Sequence, residues 1–383
     1  MDHIQCQDAA IAVLQSALSY DRTHHAYIFH GPAGVGKCTT ALAFTKVLLC
    51  HEAQRGLTGR ISACDTCASC RLWHGIADAA DATRSAHPDL HLIRKELAGE
   101  SIIKVLRDRK QTNIPVDLLR EHMIGGTTGD GRYHEPIVGK TPALRHNKVF
   151  IIDEAELLDA PGQNALLKTL EEPPAGTYIM LVTASEDQLL PTIRSRCQRV
   201  TFGPLSEEVI AHWLDESAKV PAGSQRDWVV HFAGGSLGRA QLAVQYDLFD
   251  WAQAVVPALS GMASRQFDAA LGSDIASRID AFAQQWVKAH PNASKDAANR
   301  RGAELMWVLI TQHARAELAR AAGQHATLAA AQLEQRLKPW LAVIDAVHEA
   351  QAMLRSHLNM GMVCDHLCLA MNQAMAGRER VNA

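Results

Sequence analysis

The first half of the chain intersperses short apolar runs with helical patterns. Tyr27-Ile28-Phe29, Val149-Phe150-Ile151-Ile152 and Tyr178-Ile179-Met180-Leu181-Val182-Thr183 are continuous rather than alternating in hydrophobicity. That pattern belongs to strands buried on both faces, as in a parallel sheet covered by helices. Each run stops abruptly, the first before Gly31, the second at Asp153-Glu154, the third at Thr183. Thr39 to Leu49 and Val116 to His122 read as helices between them. Gly125 to His146 differs, because Gly-Gly-Thr-Thr-Gly-Asp-Gly and two prolines mark it as a long solvated loop. From Ser206 the pattern turns helical. Ser206 is a predicted N-cap, with Glu207 and Glu208 in the first turn. Residues 250–380 are alanine-rich, with apolar spacing suited to several amphipathic helices and no strand pattern. Arg315 to Ala322 is a clear helix there. An α/β domain is expected over residues 1–203, followed by helices alone.

Composition narrows the class. The 383 residues suffice for two or three domains, and a hydrophobic share of 47% is ordinary for a globular protein. A net charge of −3 gives no chain-wide attraction to nucleic acid or anionic membrane, so DNA contact would need a local patch. Arg132, Lys140, Arg145 and Lys148 would give the glycine-rich loop such a DNA-facing patch. No apolar run reaches the length of a membrane span, and Met1-Asp2-His3 does not open a signal peptide, so a cytoplasmic protein is expected. Nine cysteines in such a chain point to metal binding and free thiols rather than a disulfide framework. Cys364 and Cys368 sit four apart and read as two core thiols on one helix face.

The first strand run leads into Gly31-Pro32-Ala33-Gly34-Val35-Gly36-Lys37-Cys38-Thr39. This is the phosphate-binding pattern G-x-x-x-x-G-K-[ST] with one departure. Gly31, Gly34 and Gly36 would let backbone N–H groups close around phosphates at a helix N-terminus, and Lys37 would reach the outer phosphates. Cys38 stands where a hydroxyl should hold Mg²⁺, and a thiol is a poor ligand for that hard cation. Thr39 cannot substitute, because one helical residue turns the side chain by about 100°. Either a chance Gly/Lys turn or a site binding ATP or ADP with Mg²⁺, without efficient hydrolysis, fits these residues. Asp153-Glu154 supplies the second half of such a site. Asp153 would hold Mg²⁺ and Glu154 would polarise the attacking water. Thr183, at the C-terminal end of its strand, would touch the γ-phosphate or that water.

A second chemistry sits nearby. Cys64-x₂-Cys67-x₂-Cys70, with Cys50 upstream, suits a closed tetrahedral Zn²⁺ site. An iron–sulfur cluster is the rival, but its usual run needs a cysteine where His74 stands. His74 is an alternative ligand to Cys50, and unmetallated thiols are the remaining reading. Cys50 ends the helix that starts at the phosphate loop, roughly 20 Å away. Its metal would be structural.

Taken in order, Gly31 to Thr39, the four cysteines, His87-Pro88-Asp89-Leu90, Asp153-Glu154-Ala155-Glu156, the run from Asn164 to Pro174 and Pro191-Thr192-Ile193-Arg194-Ser195-Arg196-Cys197 resemble the bacterial DNA polymerase III clamp-loader AAA+ subunits. The resemblance is close over about residues 2–245. It implies an AAA+ P-loop domain over 1–203 with a zinc module at about 50–75, a helical lid over 204–247, and an all-α collar over 248–383. Among these subunits the chain looks most like the delta-prime kind, whose loop is often damaged. The gamma/tau kind keeps an intact loop, hydrolyses ATP and usually runs on into further domains, whereas this sequence stops at Ala383. By the resemblance, Arg196 would act in trans as an arginine finger on a neighbour's ATP, whereas the residues alone read as a helix with surface arginines. Ser195 and Cys197 would shape the turn. Motor subunits carry a sensor arginine directly after Gly-Ser-Leu. Gly238 takes that place here and Arg239 comes one later, which leaves the role of Arg239 open. Implied partners are gamma/tau and delta subunits in a hetero-pentamer, the sliding clamp, and primed DNA through the assembled complex. Alternatives are a gamma/tau-like motor or an AAA+ protein outside replication.

Overall fold

The computed structural model describes residues 7–20, 22–56, 59–73, 76, 87–108, 112–144, 146–218, 220–264, 266–290, 293–323, 330–356 and 358–376. The chain divides into two compact units, Met1–Ser217 with Gly234–Gly238, and Ala218–Ala233 with Arg239–Ala383. Its strands are β1 (Ala26–His30), β2 (Gln54–Arg55), β3 (Ile61–Ser62), β4 (Leu90–Ile93), β5 (Gly126–Thr127), β6 (Tyr133–His134), β7 (Lys148–Ile152), β8 (Thr177–Thr183) and β9 (Gln198–Thr201).

The first unit is built on a five-stranded parallel sheet in the order β4-β7-β8-β1-β9. Successive strand residues face opposite sides, so a continuous apolar run feeds two cores at once. Ala26 and Ile28 join Phe150, Ile152, Ile179 and Leu181 on one face, under Leu166 and Leu170 of the helix Ala160–Glu171. Tyr27 and Phe29 join Val149, Ile151, Met180 and Val182 on the other, under Phe44 and Leu48 of the helix Lys37–Leu49. Each such side chain contributes about 1.5–3 kcal/mol by leaving water. The parallel register places the C-terminal ends of β1, β7 and β8 side by side, and His30 is directly opposite Thr183.

The glycine-rich stretch departs from its reading as an open loop. Gly126–Thr127 and Tyr133–His134 pair as an antiparallel hairpin. Buried or partly buried carboxylates hold it and the chain beyond: Asp117 accepts from the Gly129 amide, and Asp89 accepts from Ala143 and Leu144. These long-range bonds satisfy backbone groups that composition alone assigns to solvent. The proposed DNA-facing patch is corrected in part. Lys148 is only 3% exposed and its Nζ donates to the Ile137 and Lys140 carbonyls, so it clamps the loop from inside. Arg132 pairs with Asp130 and Lys140 with Glu135. Arg145 lies outside the described residues. The helix before this stretch begins at Val116–Leu119 and widens into a π-turn over Arg120–Ile124. Ser206 does stand at the N-cap of Glu207–Glu216, though its side chain makes no bond to the helix amides.

The second unit is all-α over its described residues. Its long helices are Leu248–Ala263, Leu271–Ala289, Lys295–Ala322, Ala330–Arg355 and Met360–Met375. Trp307 is buried among them, as are Cys364 and Cys368, which are core thiols as their spacing suggested. Gly302 lets two helices approach closely, since a Cβ there would stand 3.0 Å from the Phe282 ring. Among the described residues no helix is long and apolar enough to cross a membrane.

Candidate phosphate site and candidate metal centre

The phosphate loop has the backbone its glycines require. Gly31, Gly34 and Gly36 have φ of 142°, 74° and 94°. Positive φ is costly for side chains other than glycine, and space is short as well. A Cβ on Gly31 would lie 2.3 Å from the Phe202 carbonyl oxygen, and one on Gly34 would lie 2.4 Å from Ser236 Oγ. Lys37 opens the helix and is buried. Its Nζ donates to the loop's own carbonyls, Gly31 at 2.8 Å and Pro32 at 2.6 Å. Burial lowers its pKa, against the opposing pull of Glu156 and Asp153. Cys38 is half-buried and packs on the core beside the helix. Of the hydroxyls that follow, Thr39 is exposed, and Thr40 is buried with its Oγ1 donating to the Gly36 carbonyl at 2.9 Å. Neither takes the place that Cys38 holds.

A segment distant in sequence closes over this loop. Ser236 Oγ donates to the Ala33 carbonyl at 2.9 Å, and the Gly238 amide donates to the Gly34 carbonyl at 3.0 Å. Gly238 has no side chain because Gly34 Cα would lie 3.0 Å from its Cβ. Arg239, next in sequence, donates to the Phe232 and Ala233 carbonyls, where it caps the helix Ser224–Ala233.

The acidic half of the site follows β7. Burial, reinforced by neighbouring Glu154, raises the pKa of Asp153. Glu154 has φ 53°, a left-handed conformation for a residue with a side chain. Both its carboxylate oxygens accept from Lys95 Nζ, at 2.7 and 2.5 Å. Sequence reading missed Lys95. Its only signal was the charged triplet Arg94-Lys95-Glu96 directly after the strand run of β4. It also gave no role to Glu156, whose Oε1 accepts from the Ala184 amide at 3.1 Å while its Oε2 is buried without a partner. Thr183 is fully buried and its Oγ1 accepts from the Ser185 amide.

Arg196 stands apart from these groups. It follows the short helix Pro191–Arg194 and is about one-third exposed. Its guanidinium pairs with Glu171 at 2.6 Å and donates to the Thr192 carbonyl at 2.9 Å. Neither partner belongs to the phosphate loop or to the Asp153–Glu154 pair. Ser195 Oγ donates to the same Thr192 carbonyl, and Cys197 packs on the core, where burial pushes its thiol up to about 12. Ser195 thus bonds within the turn, whereas Cys197 packs into the core.

The four cysteines converge. Cys50 caps the helix Lys37–Leu49, Cys67 caps Ala68–Leu72, and the β2–β3 hairpin lies between. All four Sγ atoms lie within 4.8 Å of one another, with separations of 3.5 Å (Cys50–Cys64), 3.9 Å (Cys50–Cys67) and 4.0 Å (Cys64–Cys70). A tetrahedron with metal–sulfur bonds near 2.3 Å has edges of about 3.8 Å, so the donor set fits Zn²⁺. Hydrogen bonds from Thr66, then from the Cys67 amide, hold the Cys64 thiol down at about 6. Burial pushes Cys50 and Cys70 up, a cost that a bound cation would reverse. The alternative ligand His74 lies outside the described residues.

A family model described as DNA polymerase III, delta subunit, matches residues 6–206. The delta′ subunit of Bacillus subtilis is 31% identical over 217 residues, which span 57% of this chain and 54% of that protein. The delta′ subunit of Escherichia coli is 29% identical over 240 residues, 62% of this chain and 60% of that protein. The tau subunit of Salmonella typhimurium is 31% identical over 209 residues, 55% of this chain and 26% of that protein. The match thus spans little more than half of the delta′ relatives and about a quarter of the tau relative.

Proposed function

The chain belongs to the DNA polymerase III delta-subunit family, and from that premise we propose that it is a delta-prime-type clamp-loader subunit. In this reading it is a rigid member of a hetero-pentamer with gamma/tau and delta subunits, helping ATP-driven loading of the sliding clamp onto primed DNA. Residues 1–203 form the AAA+ domain with its zinc module, 204–247 the lid and 248–383 the collar.

The observation that carries the reading is Cys38. The loop keeps its glycines, its helix N-terminus and Lys37, yet the position for a Mg²⁺-holding hydroxyl carries a thiol, and Thr39 and Thr40 face elsewhere. Lys37 is satisfied by loop carbonyls and Glu154 by Lys95, which supports a site that holds its shape without turnover. Should ATP or ADP with Mg²⁺ bind, the loop amides and Lys37 would hold the phosphates, and Asp153 would hold the cation. Mg²⁺ would supply charge neutralisation at the phosphates. The catalytic contribution instead goes to a neighbour. Arg196 sits on an exposed turn, steadied by Glu171, where its guanidinium can be presented to another subunit's ATP. Zn²⁺ on Cys50, Cys64, Cys67 and Cys70 is structural and ties the hairpin to the helix end.

Replacing Arg196 with Ala in a reconstituted clamp loader should leave assembly intact and slow ATP hydrolysis at the adjoining site about a thousandfold or more. An unchanged rate would refute the finger. One observation favours a second reading, a gamma/tau-like motor: the acids Asp153 and Glu154 are both retained beside the loop. Hydrolysis by the isolated chain that is abolished in Lys37→Ala would establish it instead.

A further inference from the structure

The turn that carries Arg196 holds a second arginine that the finger does not use. Arg194 ends the short helix Pro191–Arg194, two residues before Arg196. Its side chain is partly buried, and its Nε is sealed from solvent without a hydrogen-bond partner. Its guanidinium makes no hydrogen bond or ion pair among the described residues. Only Nε is sealed off, so the two Nη atoms are unpaired and open to solvent.

This is exceptional in the molecule. Every other partly buried arginine or lysine among the described residues has a partner. Arg94 pairs with Glu96, Arg120 with Asp117, and Arg278 with Asp250 and Asp274. The buried lysines Lys37 and Lys148 donate to carbonyls. A cation withdrawn from water without a partner is costly. Arg194 does not repay that cost by capping its own helix. The Pro191 and Ile193 carbonyls accept from the Ser195 and Arg196 amides, and the Thr192 carbonyl accepts from the Arg196 guanidinium.

The two arginines of the turn therefore differ in readiness. Arg196 is neutralised by Glu171 at 2.6 Å, and Arg194 has no counter-charge. An unpaired guanidinium selects an anion, and its fork of donors suits the oxygens of a phosphate. The stem of Arg194 is already packed, so little side-chain freedom is lost when its head binds. Two residues span at most about 7 Å of chain, which puts one polyphosphate within reach of both side chains.

We propose that Arg194 binds the polyphosphate of the nucleotide held by the neighbouring subunit, beside Arg196. Arg194 adds affinity for ATP and ADP alike. Arg196, released from Glu171, meets the charge that develops on the transferred group. The proposal rests on the finger reading of Arg196.

Reconstituted clamp loaders carrying Arg194→Ala, Arg194→Met or Arg196→Ala test it, with fluorescent ADP as the probe and ATP hydrolysis measured alongside. Both Arg194 variants should weaken one class of ADP sites about tenfold, through loss of a charge-assisted hydrogen bond. They should raise KM for ATP at that site with kcat nearly unchanged. Arg196→Ala should do the reverse, lowering kcat with little change in ADP affinity. Arg194→Met keeps the packed stem and removes the unpaired cation, so the isolated chain should keep or raise its Tm. Unchanged ADP affinity in both Arg194 variants would overturn the proposal. Weakened assembly with unchanged nucleotide affinity would also overturn it, making Arg194 an interface ion pair. A Tm lowered in Arg194→Met would make the residue a fold element instead. If Arg196→Ala leaves kcat unaltered, the finger reading falls and this proposal with it. If only the Arg194 variants are silent, the finger reading stands without it.

Discussion

The helix Lys37–Leu49 carries a different chemistry at each end. At its N-terminus the phosphate loop has the right backbone and the right lysine, but a thiol where a hard cation needs oxygen. At its C-terminus the thiol of Cys50 stands among three others in a nearly tetrahedral set. The same residue type is thus unsuited to one end and well suited to the other. The difference shows that shape and reactivity are separable in this domain. One end keeps a loop backbone that folding alone maintains, and the other end gathers four thiols whose spacing fits a metal ion.

The largest expected effect comes from the end with the four thiols. The chain should carry about one zinc per molecule, and Cys67→Ser should remove it. The loss should cost about 3 kcal/mol or more and lower Tm on the order of 10 °C. Metal analysis with thermal unfolding checks this, and an unchanged Tm would erase the contrast between the ends.

Acid probes the sheet that supports the other end, in zinc-free protein so that metal release does not contribute. His91 in β4 stacks on Phe150 at 4.6 Å, and burial depresses its pKa from 6.5 to about 4. The unfolded chain therefore takes up the proton first. Stability from neutral His91 is full above pH 6.5 and falls as pH drops towards 4, by up to about 3 kcal/mol. Urea unfolding at pH 7 and pH 4.5 should show this loss, and His91→Gln should reduce it. An equal loss in both proteins would assign the acid sensitivity elsewhere.

Gly34→Ala tests whether the loop's shape is actively enforced. Its φ of 74° and the 2.4 Å approach to Ser236 Oγ should make the change cost about 2 kcal/mol. A neutral substitution would mean that the 234–238 segment does not hold the loop. Lys95→Ala has the smallest effect. The pair with Glu154 is partly exposed, so its loss should cost under about 1 kcal/mol in chemical denaturation. A larger loss would make the pair a fold element rather than a tether on Glu154.

The legible parts of this molecule were those with a local signal. Continuous apolar runs announced β1, β7 and β8 because both faces of each are covered. Cysteine spacing announced the thiol cluster, and the glycines announced the loop. The illegible parts were contacts between residues far apart in sequence. Lys95 reaches Glu154 across 59 positions, and Ser236 reaches Ala33 across 203. No periodicity encodes either bond. Lys148 read as a surface cation because its burial depends on the Ile137 and Lys140 carbonyls, in a stretch that composition had marked as open loop.

Turnover of Mg·ATP by the isolated chain, measured beside Cys38→Thr, tests the central claim most directly. The account predicts no hydrolysis above background in the natural sequence, with Cys38→Thr binding Mg·ATP about tenfold more tightly by restoring the cation's oxygen ligand. Steady hydrolysis by the unaltered chain, lost in Lys37→Ala, would contradict it.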